Sequence, residues 1–91
     1  MNRKQKLMQA IEGKTFIVCK EKLKEIDSNL YFNFLLENQN CKYYKLHFAN
    51  QAVEYTFANS FDAVQDIPPA NYDFLKDWTK RELQKWVDFI A

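Results

Sequence analysis

Glycine is nearly missing from this chain: Gly13 stands alone among 91 residues. A loop that cradles phosphate needs several glycines, so no nucleotide-binding loop of that kind is expected. Proline occurs only as Pro68-Pro69, and so few breakers leave little room for long disordered linkers. Histidine occurs once, at His47, and cysteine twice, at Cys19 and Cys41. These three residues, with no C-x-x-C, lack the ligand spacing of a zinc site, and two cysteines do not make a disulfide scaffold. The expectation is no metal and no cofactor. Thiols in strand-like runs behave as small hydrophobes, which suits a reducing, cytoplasmic setting. No apolar run approaches the ~20 residues that span a membrane. No apolar stretch follows the basic residues near the N-terminus either, so no signal peptide is expected.

Net charge is also small, at +1. The strongly basic balance of a nucleic-acid-binding domain is absent, and so is the acidic excess of a DNA mimic. The charge is uneven along the chain. Residues 1–26 carry seven basic and three acidic side chains, and residues 27–70 carry two and five. Arg3, Lys4 and Lys6 fall at the start of a predicted helix, the end where positive charge opposes the helix dipole. Their charge therefore does not serve that helix. They are candidates for contact with nucleic acid or an acidic partner, beside the plainer reading of a solvated first turn.

Aromatic residues are what the chain has in quantity, at 16%. A single domain over residues 1–91 buries only roughly 60–65% of its unfolded surface, and large rings raise the area that each residue contributes. The rings concentrate between Leu30 and Asn59 and alternate at a period of two. This predicts three strands, Leu30–Glu37, Cys41–Phe48 and Ala52–Asn59, turning at Asn38-Gln39-Asn40 and at Ala49-Asn50-Gln51. The buried face would hold Leu30, Phe32, Phe34 and Leu36 from the first strand. Tyr44, Leu46 and Phe48 would join them from the second, and Val53, Tyr55 and Phe57 from the third. A one-residue slip would move every ring into water, so the register is well specified.

The flanks read as helices and one further strand. Residues 2–12 have Leu7, Ala10 and Ile11 on one stripe, and Gly13 sits where a left-handed C-terminal cap belongs. Thr15–Lys20 is a β-type run apolar on both parities, as in a strand at the centre of a sheet or covered on both faces. Residues 21–27 fit either helical turns or a ragged strand. Ser60 can cap a short helix over Phe61–Asp66, and Ile67-Pro68-Pro69 imposes extended backbone. A short helix over Tyr72–Asp77 would start at the Asn71 cap. A second would start at Thr79, where Thr79 and Glu82 form a capping box and Trp78 and Leu83 a hydrophobic staple. The fold class expected is α+β: an N-terminal helix, an antiparallel meander of three to four strands, and a C-terminal helical pair packed on one sheet face. Within the second helix, Trp78-Thr79, Glu82-Leu83, Trp86-Val87 and Ile90 resemble the opening helix of a SAM domain. That resemblance covers residues 78–91 and implies no function for the chain.

Catalytic groupings are weak. Cys41 and His47 would share one face of a strand, but six residues at a rise of ~3.4 Å separate them by ~20 Å, beyond hydrogen-bond reach. No enzyme activity is expected. The surface with chemical content is the second sheet face, which would show Tyr31, Asn33, Tyr43, Lys45 and His47. Tyrosine offers large contact area at low entropic cost, as protein interfaces use it. Tyrosines beside a lysine can also stack bases, although Glu37 and Glu54 would share the face. A covering helix would make the same residues purely structural. The leading expectation is a small non-catalytic binding protein, monomeric or a small homo-oligomer, that occludes a surface of a larger protein. Inhibitors and accessory proteins of phages and mobile elements, anti-CRISPR proteins among them, are compact chains of this kind. The alternative is a nucleic-acid-binding module that uses the Arg3–Lys6 end and the tyrosine face.

Overall fold

A computed structural model of the protein describes residues 2–37 and 41–90, with side chains described at all of these except 34–37. The first helix, α1 (Arg3–Ile11), begins where its polar residues can close it. Asn2 Oδ1 accepts from the Gln5 amide at 2.8 Å, and Gln5 Oε1 accepts from the Asn2 amide at 3.2 Å. This is a reciprocal capping box. Leu7 and Ile11, one turn apart, are buried. Gly13 then takes φ +79°, a conformation open to glycine at no steric cost, and its amide donates to Phe48 O at 2.6 Å.

Four antiparallel strands form one sheet in the order β1-β2-β3-β4: β1 (Thr15–Cys19), β2 (Tyr43–Ala49), β3 (Ala52–Ala58) and β4 (Asn71–Phe74). The β2–β3 register is the one the ring pattern specifies. Tyr44 lies opposite Phe57, Leu46 opposite Tyr55, and Phe48 opposite Val53. The connecting turn is two residues long, with Asn50 at φ 56° and Gln51 at φ 61°. Two left-handed residues match the twist of a hairpin, but the second position favours glycine. We expect Gln51→Gly to raise stability by up to about 1 kcal/mol, the relief of left-handed strain exceeding the greater unfolded-state entropy of glycine. Urea denaturation checks this, and a lower midpoint in the variant would refute it.

Two expected elements are different in the structure. Leu30–Glu37 is not a strand: it lies in a helix, α3 (Ser28–Glu37), which follows directly on α2 (Lys20–Ile26). The deciding residue is Asp27. Its amide closes α2 on Leu23 O, its carbonyl receives the first α3 amide from Tyr31, and its Oδ1 accepts from Leu30 N at 3.2 Å. An aspartate with a free N3 amide three residues on is a strong helix start. Residues 21–27, which fitted two readings, are thus helical through Ile26. Leu30 is buried, while Phe32 is 54% exposed, so the alternating set does not share a face. β1 occupies the place beside β2 that was expected for Leu30–Glu37. The expected turn at Asn38-Gln39-Asn40 and the core positions of the Phe34 and Leu36 side chains lie outside the described residues. The second difference is Tyr72–Asp77. Its first half is β4, and only Leu75–Asp77 coils, as a single 3-10 turn.

The remaining helices follow their caps. Ser60 Oγ accepts from Ala63 N at 3.1 Å and starts α4 (Phe61–Asp66). Thr79 Oγ1 accepts from Glu82 N at 3.1 Å and starts α5 (Lys80–Ile90). The staple residues Trp78 and Leu83 are both buried. The architecture is α+β. Paired residues on neighbouring strands share a face, so Phe16, Val18, Tyr44, Leu46, Phe48, Val53 and Tyr55 point one way. That helical face meets Leu7, Ile11, Leu23, Leu83 and Trp86 in one core. Trp86 is its centre, with ring centroids 5.2 Å from Phe16 and 6.0 Å from Phe48.

Candidate protein-interaction surface

The second face of the sheet follows from the same register. Cys19, Tyr43 and Ala58 form one row, and Ile17, Lys45 and Thr56 the next. Thr15, His47, Glu54 and Tyr72 form a third, and Ala49, Ala52 and Phe74 the last. The expected placement of Tyr43, Lys45 and His47 on one face is correct. Tyr31 and Asn33 were expected on the same face, but α3 carries them instead. Tyr31 packs against the core of the helical face, and Lys24 Nζ lies 5.8 Å from its ring centroid.

Half of the second face is covered. The α4 helix lies against β1, β2 and β3. Val64 is fully buried there, apart from the main core, and Thr56 is buried beneath the helix. Lys45 Nζ donates to Gln65 O at 2.9 Å. The lysine thus caps α4 at its C-terminal end, where a cation is favourable. Tyr43 meets Phe61 edge-on at 6.2 Å. These two residues hold a helix in place and offer less to a partner than their strand positions suggest.

The other half is open. Its floor is Ala49, Ala52 and Glu54, and its wall is Pro69, Tyr72 and Phe74, enclosing a shallow groove of about 280 Å³. Tyr72 is 64% exposed and Phe74 is 46% exposed, with their rings edge-to-face at 5.2 Å. Lys76 Nζ lies 5.6 Å from the Phe74 centroid. His47 Nδ1 is hydrogen-bonded to Thr15 Oγ1 and has Glu54 as its cross-strand neighbour. The sequence pattern does not mark Tyr72 and Phe74, because Asn71 fits a helix cap. Their i, i+2 spacing after Pro68-Pro69, which favours extended backbone, was the available signal.

The basic end is partly spoken for. Arg3 Nη2 donates to Gln84 Oε1 at 3.2 Å, and Lys4 Nζ donates to Lys76 O. Both bonds tie α1 to the C-terminal part of the chain. Lys6 is exposed.

Both cysteines are free. Burial pushes the Cys41 thiol up from its ordinary value, away from the thiolate a nucleophile needs. Burial likewise raises the Tyr44 phenol, with Cys41, Tyr31 and Glu21 adding to the effect. Among the described residues, no three histidine, cysteine or acidic side chains gather to hold a metal ion. Among the same residues, no helix is long and apolar enough to cross a membrane. No protein-family model, curated protein or solved structure matches this chain.

Proposed function

We propose that this chain is a small, non-catalytic protein-binding module that acts by occluding a surface of a larger protein. The open half of the second face is the contact. The observation that supports this most is the exposed pair Tyr72 and Phe74, held side by side on a sheet strand beside a shallow groove. Aromatic residues at such positions are the side chains that carry binding energy in interfaces. Their strand is anchored below by Asp73, whose Oδ2 accepts from Trp78 Nε1 at 2.8 Å. Little ordering is therefore left to be done on binding. An inhibitor or accessory protein of phage or mobile-element type, working in a reducing cytoplasm, is the role that fits. The nucleic-acid reading has less behind it. Arg3, Lys4 and Lys45 are bonded within the molecule, and Glu54 lies in the groove.

The test is an affinity pull-down from the native host with mass spectrometry. The wild-type chain is compared with the Tyr72→Ala/Phe74→Ala double variant. Both side chains are exposed, so the variant should keep its circular dichroism and melting behaviour. Its affinity for the captured protein should fall at least roughly 30-fold, the effect of losing one hot spot of about 2 kcal/mol. Equal capture by a folded double variant would refute this surface. Salt-sensitive capture of random single strands by the wild type would favour the nucleic-acid reading instead.

A further inference from the structure

β4 ends the sheet, and no strand pairs with its outer edge among the described residues. Its hydrogen-bonding phase follows from one contact. Leu75 N donates to Gln51 O at 3.0 Å, in register with the pairs Phe74–Ala52 and Asp73–Val53. In an antiparallel ladder, residues turn their backbone groups alternately toward one neighbour and the other. Asn71 and Asp73, with Leu75, therefore face β3. The N–H and C=O of Tyr72 and Phe74 face outward. These are the same two residues whose rings stand exposed on the second face.

We propose that two copies of this chain pair through β4, antiparallel about a twofold axis at Asp73, so that their sheets join edge to edge. In that register Tyr72 of each copy lies opposite Phe74 of the other. All four outward N–H and C=O groups of each strand are then used, because the outward set is complementary to itself. Ring meets ring twice across the seam on the second face, a favourable cross-strand pairing. The strand carries no lysine, arginine or proline between Asn71 and Phe74, and the guards it does have are its length of four residues and the inward-pointing Asp73. Its one charge, Asp73, lies on the helical face. The carboxylate is drawn toward its own core by Trp78 Nε1, which lessens its opposition to Asp73 of the second copy. Pairing uses the backbone edge and leaves the rings on the second face, where they form a patch of four. The pairing needs no larger partner, and a monomer that still captures its target would overturn the dimer alone.

The experiment is sedimentation equilibrium and light scattering on the full chain over a concentration series. Amide exchange is measured by NMR on the same samples. The expected result is a monomer–dimer equilibrium, with the Tyr72 and Phe74 amides exchanging more slowly as concentration rises. Tyr72→Pro removes an outward N–H without touching the bonds to β3, a position where an edge strand tolerates proline. It should stay monomeric over the whole series. A wild type that is monomeric at every concentration would overturn the proposal. So would a dimer in which the Tyr72 and Phe74 amides exchange at rates independent of concentration, and this readout holds even where Tyr72→Pro folds poorly.

Discussion

Trp86→Ala is expected to lower the unfolding free energy by about 3–5 kcal/mol, against a total of roughly 5–15 kcal/mol for an ordinary domain. Trp86 is fully buried. It touches Phe16 and Phe48 of the sheet and Phe89 of its own helix, with centroids at 5.2, 6.0 and 5.9 Å. Its neighbours cannot close over the vacated space. Phe16 and Phe48 are held by strand pairing, and α5 is held through Leu83 and its Thr79 cap. The indole also donates from Nε1 to Asp27 Oδ2 at 3.2 Å, so truncation removes a hydrogen bond with the ring. Trp86→Phe should cost clearly less, because it keeps most of the packing and loses the bond. Urea denaturation followed by far-ultraviolet circular dichroism gives both values. A loss below about 0.5 kcal/mol for the alanine variant is what a surface substitution costs, and it would mean that α5 does not sit on the sheet as described.

The β2–β3 hairpin was legible because two signals agreed there. Tyr44, Leu46 and Phe48 alternate against Val53, Tyr55 and Phe57, and a short turn separates them, expected at Ala49-Asn50-Gln51 and found at Asn50-Gln51. In Leu30–Glu37 the signals conflicted. Leu30, Phe32, Phe34 and Leu36 satisfy a strand, yet Leu30 and Phe34 are also one helical turn apart. Ring alternation cannot arbitrate over so short a run. The term that decides it is a cap and a tertiary bond at Asp27, in the stretch 21–27 that fits either helical turns or a ragged strand. β4 was hidden for a similar reason. Asn71 looks like a helix cap locally, but the strand is held by long-range pairing with Ala52, Val53 and Glu54.

The candidate surface divides along the same line. Strand parity correctly grouped Tyr43, Lys45 and His47, because parity is a local property. What parity could not show is that α4 would return over β2 and engage Lys45 through Gln65 O. That contact moves the open surface toward Tyr72 and Phe74. Likewise, Arg3 and Lys4 read as free cations in a charge tally, but their partners Gln84 and the Lys76 carbonyl lie more than 70 residues away in sequence. Sequence pattern thus located a face, and tertiary contacts decided which part of it is available.

Asp27→Ala is expected to lower the unfolding free energy by about 1.5–5 kcal/mol. Asp27 is only 3% exposed, and no salt bridge to it is present among the described residues. Its carboxylate is stabilised by the Leu30 amide at the start of α3 and by the Trp86 indole, both at 3.2 Å. Alanine removes a helix N-cap, which costs about 0.5–2 kcal/mol. It also leaves the Trp86 N–H buried with no acceptor, at about 1–3 kcal/mol. Asp27→Asn discriminates between these two terms. Asparagine is a good cap, but it has one side-chain oxygen for two donors, and turning its amide nitrogen toward the indole would set donor against donor. An intermediate cost is therefore expected. The indole term can be isolated in a double-mutant cycle with Trp86→Phe. Asp27→Ala should be milder by about 1 kcal/mol in the Trp86→Phe background, because no indole N–H remains to be orphaned. Additive costs in that cycle would show that Asp27 acts only as the cap of α3, and that the link from the α2–α3 corner to α5 contributes nothing to stability.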